Sequence, residues 1–277
     1  VRIYVDPPAV QPYRYGLGSV LQQGTTPAHW QNGVQFQSDA CAQALPWPDA
    51  CTEESGFEEK TFDTEGRPVD EGSPFTLYTT LNCKLIQLQE ARSVVARRLA
   101  LAEPRALEEA FWTGAAGNTP ALATDPALSV LGSVIGVTAA VALLEEALAD
   151  QYAGVGIIHA PRAVNPYAAE STLVIRDGPV LRTPLDTLWA FGGGYDRSTG
   201  PVGQQAPAAT QTWMYATGAM AVRRDAEPLV IPEDGTALDR VTNEVVVIAE
   251  RTHVLVKDCM PTLAVLVELG LDAGESL

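Results

Sequence analysis

The longest periodic signal in the chain lies over residues 85–102. There Leu85, Leu88, Ala91, Val95, Leu99 and Ala102 fall on one stripe, while Gln89, Arg92 and Arg97 lie off it. Apolar residues recurring every three to four positions mark a helix with one buried face. Pro104 lacks an amide proton and clashes with the preceding turn. The helix is therefore expected either to kink there or to stop and restart with Pro104 as the first residue of "PRALEEAFW". Leu107, Ala110 and Phe111 continue the apolar face until Gly114 ends it. A second helix is predicted over residues 138–151, with Val141, Leu144 and Leu148 inward and Gly154 as the stop.

The rest reads as strand and turn. Residues 1–84 carry recurrent breakers (Pro7, Pro8, Pro12, Gly16, Gly18), and "GVQFQS" alternates like a strand edge. An arm with so little helical periodicity cannot make a core of its own and must lie along the body or a neighbour. Residues 52–74 are acidic and turn-rich, with Phe57 and Phe62 either side of an acidic patch. An exposed, extended hairpin and a disordered loop are both compatible with that composition. Further on, "GVGIIHAP" is a buried strand, "RAVNPYAAES" a helix, and "TLVIRDGPVLRT" two strands around Asp177-Gly178. "QTWMYATGAMAVRR" reads as a strand with a bulge at Gly218. "NEVVVIAERTHVLVKD" and "TLAVLVEL" supply two or three long strands at the end. Without a regular strand–helix–strand repeat, the class is α+β with mostly antiparallel strands.

With 277 residues, 46% of them hydrophobic, the chain is long enough for a sizeable core. No apolar run reaches the roughly 20 residues that cross a bilayer, and "VRIYVDPPAV" lacks the order of a signal peptide. The expectation is a soluble protein without a membrane partner. Charge sharpens the picture: 34 acidic residues face 18 basic ones, a net −16, and Lys60, Lys84 and Lys257 are the only lysines. Tight gripping of nucleic-acid phosphates needs clustered cations and is excluded. Cys41, Cys51, Cys83 and Cys259 lack the spacing of a zinc site. Cys41 and Cys51 are close enough to pair, but reduced, buried cysteines are expected.

The candidate chemistry is sparse. "AFGGGYDRSTGP", residues 190–201, resembles a phosphate loop only in its glycines. No helix follows it and no Lys-Ser/Thr pair appears, so it reads as a mobile surface loop. His159, in "IIHAP", is the histidine best placed for catalysis, but no nucleophile elbow accompanies it. It reads as a satisfied structural histidine, with a hydrolase at His159 as the distant rival. Glu108-Glu109 and Glu145-Glu146 are adjacent helical pairs. Neighbours diverge by about 100° around a helix, so both pairs read as solvated faces. The sequence offers no catalytic residue, no cofactor-binding residue and no metal ligand.

The order of elements carries a resemblance. "SPFTLYTTLNCKLIQLQEARSVVARRLALAEPRALEEAFWTG" resembles the segment of actinobacterial tailed-phage major capsid proteins that leaves an extended loop and enters a long spine helix. "GVGIIHAPRAVNPYAAE" and "TLWAFGGGYDRSTGP" are similar to the body of their axial domain, and "VVVIAERTHVLVKDCMPTLAVLVEL" to their closing strands. The resemblance implies the Hong Kong 97-type fold, shared with encapsulins. It implies an N-terminal arm at 1–51, an extended loop at 52–84, the spine helix and peripheral domain at 85–131, an axial domain at 132–235 and closing peripheral strands at 236–277. The glycine loop becomes an axial-domain tip. Partners would be other copies in pentamers and hexamers, with portal, scaffold or decoration proteins as further candidates. The shell would enclose DNA without sequence-specific binding, in a virion assembled in the host cytoplasm. An encapsulin-type nanocompartment shell is the alternative. Some relatives join a lysine to an asparagine covalently. Lys60 is the only lysine placed for this, and no partner can be matched.

Overall fold

The computed structural model describes residues 3, 8–47, 60, 66–84, 88–232, 238–239 and 244–270. The strands of the first part are β1 (Gln22–Gln23), β2 (Val34–Gln37), β3 (Val69–Gly72), β4 (Pro74–Lys84), β5 (Ser129–Gly136), β6 (Ile157–Pro161), β7 (Ile175–Asp177) and β8 (Val180–Arg182). Those of the second part are β9 (Leu188–Gly192), β10 (Gln211–Thr217), β11 (Met220–Arg224), β12 (Leu229–Ile231), β13 (Leu238–Asp239), β14 (Glu244–Lys257) and β15 (Leu263–Glu268). The α-helices are α1 (Leu88–Thr113), α2 (Val137–Gln151) and α3 (Asn165–Glu170).

The long strand β14 organises a six-stranded sheet: β4 pairs along one edge, while β11, β12 and β13 share the other. The expected stripe of α1 lies on this sheet. Ala91, Val95 and Leu99 pack with Leu81 of β4 and with Val245, Val247 and Ala249 of β14. Leu99 is 2% exposed, so Leu99→Ala is expected to cost about 3 kcal/mol through lost transfer energy and a cavity. Arg92, off the stripe, donates to the Pro232 carbonyl at 2.8 Å, and Arg92→Ala should cost only about 1 kcal/mol. Urea melts of the two variants measure the difference, and similar losses would mean that the stripe does not carry the packing.

A seven-stranded sheet runs in the order β5-β15-β10-β6-β9-β8-β7. Two of its pairings, β5 with β15 and β6 with β9, are parallel. α2 covers one face, with Val141, Leu144 and Leu148 against Ile158, Met214 and Val265. The C-terminal half of α1 covers the other, with Phe111 and Trp112 against Ile157, Trp213 and Tyr215. Burial on both faces explains why β6 does not alternate: every one of its residues is buried, His159 included.

α1 thus serves both sheets and passes through Pro104 without ending. Packing on either side of the proline offsets the hydrogen bond it removes. Gly114 follows the last helical residue with φ +70°, the left-handed conformation that closes a helix. Ala102, expected on the stripe, is exposed; Leu85 lies outside the described residues.

Two further expectations need correction. Gly218 marks no bulge: it lies where the chain leaves the seven-stranded sheet at the end of β10 and enters the six-stranded sheet with β11. Cys41 and Cys259 are not reduced, nor does Cys41 pair with Cys51. Cys41 is bonded to Cys259, because the arm is anchored beside that turn by the Ala153 amide on the Ala40 carbonyl at 2.8 Å. The arm lies along the body, burying Leu17 and Val20 against α1 and Trp30 against Val254 and Val256. Of the proposed hairpin at 52–74, the described strand β3 pairs antiparallel with β2; Phe57 and Phe62 lie outside the described residues.

Candidate functional site

The glycine loop does form an anion cradle, and the anion is part of the chain. β9 ends at Gly192, and the next residues turn onto α1, where Gly194 donates its amide to Glu108 Oε2 at 2.8 Å. Leu17 of the arm donates its amide to Glu108 Oε1 at 2.9 Å, and the Tyr13 hydroxyl donates to Oε2. Glu108 is 1% exposed. Burial pushes its carboxyl above the ordinary value, against the hydrogen bonds from Tyr13, Gly194 and Leu17, which favour the ionised form. Burial and the same carboxylate also raise the Tyr13 hydroxyl, so it keeps its proton and donates. Gly194 approaches so closely that a Cβ there would lie 2.2 Å from the Arg105 carbonyl oxygen. The expected mobile loop is therefore seated on α1 at its first half, and the expected solvated face at Glu108 is buried. The physical reason is shared: arm, loop and helix converge on one carboxylate.

A second buried carboxylate lies further towards the N-terminus of α1. Glu103 is 3% exposed. It meets Arg251 at 2.7 Å, Arg224 at 2.5 Å and His253 Nε2 at 2.9 Å, all three from β14 or β11. Burial alone would raise its carboxyl, but the His253 hydrogen bond and the charges of Arg251, His253 and Arg224 bring it down to about 2. This cluster escaped the reading of the sequence, although its signal was present. Positions 91, 95, 99, 103 and 107 form one i, i+4 row, and the only acid on it is Glu103.

His159 has no exposure. Its Nδ1 is 3.0 Å from the Tyr195 hydroxyl and its Nε2 is 3.0 Å from Thr217 Oγ1. Thr217 Oγ1 donates to the Gly218 carbonyl, so it accepts from Nε2–H, and Nδ1 accepts from Tyr195. Burial lowers the imidazole to about 3. This neutral ring, with Phe111 at its edge, is a packed polar bridge between strands. Glu145 accepts from Thr183 at 2.5 Å and Thr187 at 2.6 Å, while Glu109 and Glu146 are the solvated faces expected. Lys60 is exposed, with its ammonium 5.4 Å from the centre of the Trp47 ring. Among the described residues, no group of three His, Cys, Asp or Glu side chains could hold a metal ion, and no helix is long and apolar enough to cross a membrane. What the buried acids can do is mechanical: each fastens α1 to a different layer.

Neither a protein-family model nor a curated protein matches the sequence. Solved structures do match, along nearly the whole chain. A chain of Mycobacterium phage Cain superposes with a TM-score of 0.56 at 13% identity, covering 97% of this chain and 95% of that one. The capsid of an empty GTA particle matches with a TM-score of 0.56 at 13% identity, covering 95% of each chain. Gordonia phage Cozz matches at 0.53 and 9% identity, over 96% and 90%. At such identities the likeness is one of fold, and the chain has the α+β fold of phage capsid chains.

Proposed function

We propose that this chain is a major capsid protein that assembles into the icosahedral head shell of a tailed, double-stranded DNA phage. The observation that carries the reading is the end-to-end match with capsid chains, 97% of this chain on 95% of the other, which leaves little of either for another purpose. Charge supports it: a net −16 suits a wall that encloses DNA without gripping it. So does the outer face of the six-stranded sheet, where Tyr78 is 68% exposed, Leu229 51% and Val246 43%. In this reading α1 and the six-stranded sheet form the peripheral domain, and the seven-stranded sheet with α2 and α3 the axial one, which takes in β15 although that strand lies in the closing segment 236–277 expected to be peripheral. Residues 1–51 are the arm and residues 52–84 the extended loop, whose last strand, β4, joins the peripheral sheet. The partners are further copies in pentamers and hexamers, with portal, scaffold and decoration proteins meeting the finished shell. The location is the virion, after assembly in the host cytoplasm.

Size-exclusion chromatography with light scattering, followed by negative-stain imaging, tests the proposal. Rings of five or six copies, or closed shells, are expected. A compact monomer at every accessible concentration and salt would refute it.

A further inference from the structure

Two short passages join the sheets without an intervening helix, at residues 218–219 and at residues 258–262, and they are tied side by side. The Tyr152 hydroxyl accepts from the Ala219 amide at 3.0 Å and donates to Asp258 Oδ2 at 2.9 Å. The Asp258 amide donates to the Ala219 carbonyl at 2.9 Å, and Cys259 donates its own amide to Asp258 Oδ1 at 3.0 Å. The arm arrives at this same point through Ala40 and the Cys41–Cys259 bond. One covalent link therefore fastens the arm to the junction of the two sheets, across a sequence separation of 218 residues.

We propose that Cys41 and Cys259 form a reversible redox clasp, open as two thiols in a reducing cytoplasm and closed by exchange with a small disulfide outside it. The two compartments come from the shell reading, in which subunits are made in a cell and particles leave it. Cytosolic glutathione keeps such thiols reduced. Both cysteines are partly exposed, and each lines a surface cleft, of about 500 Å³ beside Cys41 and about 460 Å³ beside Cys259. Both cysteines therefore border open surface from which a small disulfide can approach. In the closing reaction one cysteine thiolate attacks a sulfur of oxidised glutathione, forming a mixed disulfide and expelling one glutathione thiolate. The second cysteine thiolate then attacks the protein sulfur of that mixed disulfide and expels the other glutathione. Two protein thiols are oxidised, one glutathione disulfide is reduced, and the two thiol protons end on the two released glutathiones. Closing so long a loop restricts the unfolded chain strongly, which raises the melting temperature by roughly 5–15 °C.

The test uses the full chain, incubated with oxidised glutathione or with a large excess of reduced glutathione, alkylated, and cleaved at aspartates. Asp49 lies between Cys41 and Cys51, so the two possible partners separate. A Cys41–Cys259 linked peptide is expected after oxidation and not after reduction, with the higher melting temperature in the oxidised form. Cys41→Ser should abolish the difference and Cys51→Ser should preserve it. A Cys41–Cys51 link, a bond that survives reduced glutathione, or equal melting temperatures would overturn the clasp. If the protein makes no particles, the shell reading fails, while the mapping and the melts still decide the clasp.

Discussion

Glu103→Ala is expected to destabilise the subunit by about 3–5 kcal/mol, because it strands the buried Arg251 guanidinium without its counter-charge and leaves the buried His253 Nε2 without its partner. Arg251 has a side chain only 10% exposed and His253 none at all, so neither can turn to solvent. Arg224 is 39% exposed and can swing outward; Arg224→Gln should therefore cost no more than about 1 kcal/mol. The acid also gives stability a pH dependence of known sign. Its folded pKa of about 2 lies below the ordinary value of 4.5. Its contribution is thus fully present above about pH 4.5 and is lost as the pH falls towards 2. Urea melts between pH 7 and pH 2.5 should show wild-type stability falling in that window more steeply than that of Glu103→Ala. Parallel curves would mean that the carboxylate is not held by its three partners.

The contrast between what was and was not legible follows from where each signal resides. The stripe of α1 at Ala91, Val95 and Leu99, the strand "IIHAP", the hairpin at Asp177-Gly178 and the inward face of α2 are local patterns, and all four are present where the sequence puts them. Burial of Glu108 is a different kind of fact. It depends on Leu17 and Gly194, which are 91 and 86 residues away, and no spacing rule connects them. The Cys41–Cys259 bond is longer-ranged still. Gly218 was legible as a break in a strand but not as a change of sheet, since the strand-like run continues on both sides of it and sheet membership depends on distant partners. Glu103 is the instructive case, because its position on the row of Ala91, Val95, Leu99 and Leu107 marked it as buried. An acid on such a row requires cationic partners, and Arg251 and His253 of "AERTHVLV" alternate towards the same face of β14.

Glu108→Ala should be of similar size, about 3–5 kcal/mol, for the opposite reason: it removes an acceptor and leaves donors orphaned. The Leu17 and Gly194 amides are buried, and each unpaired donor costs about 1–3 kcal/mol. Tyr13→Phe removes one donor and leaves the other two satisfied, so it should cost about 1–2 kcal/mol. Glu108→Gln should fall between them. It keeps an acceptor and removes a charge that burial disfavours, but its amide turns a donor towards one of the three. The loss should be felt first in the arm, which is otherwise held here by the Tyr15 carbonyl accepting from the Phe191 amide at 2.8 Å and by Arg162 donating to the Arg14 carbonyl at 3.1 Å. Trypsin cleavage after Arg14 reports that release directly. If the arm detaches locally, Glu108→Ala should speed the cut at least about tenfold, since every 1.4 kcal/mol multiplies the open population by ten. Gly194→Ala should do the same from the other side, because its Cβ would collide with the Arg105 carbonyl and lift the loop from α1. Unchanged cleavage in both variants would show that the arm is held by Leu17 and Val20 packing alone, and that the carboxylate cradle contributes nothing to docking it.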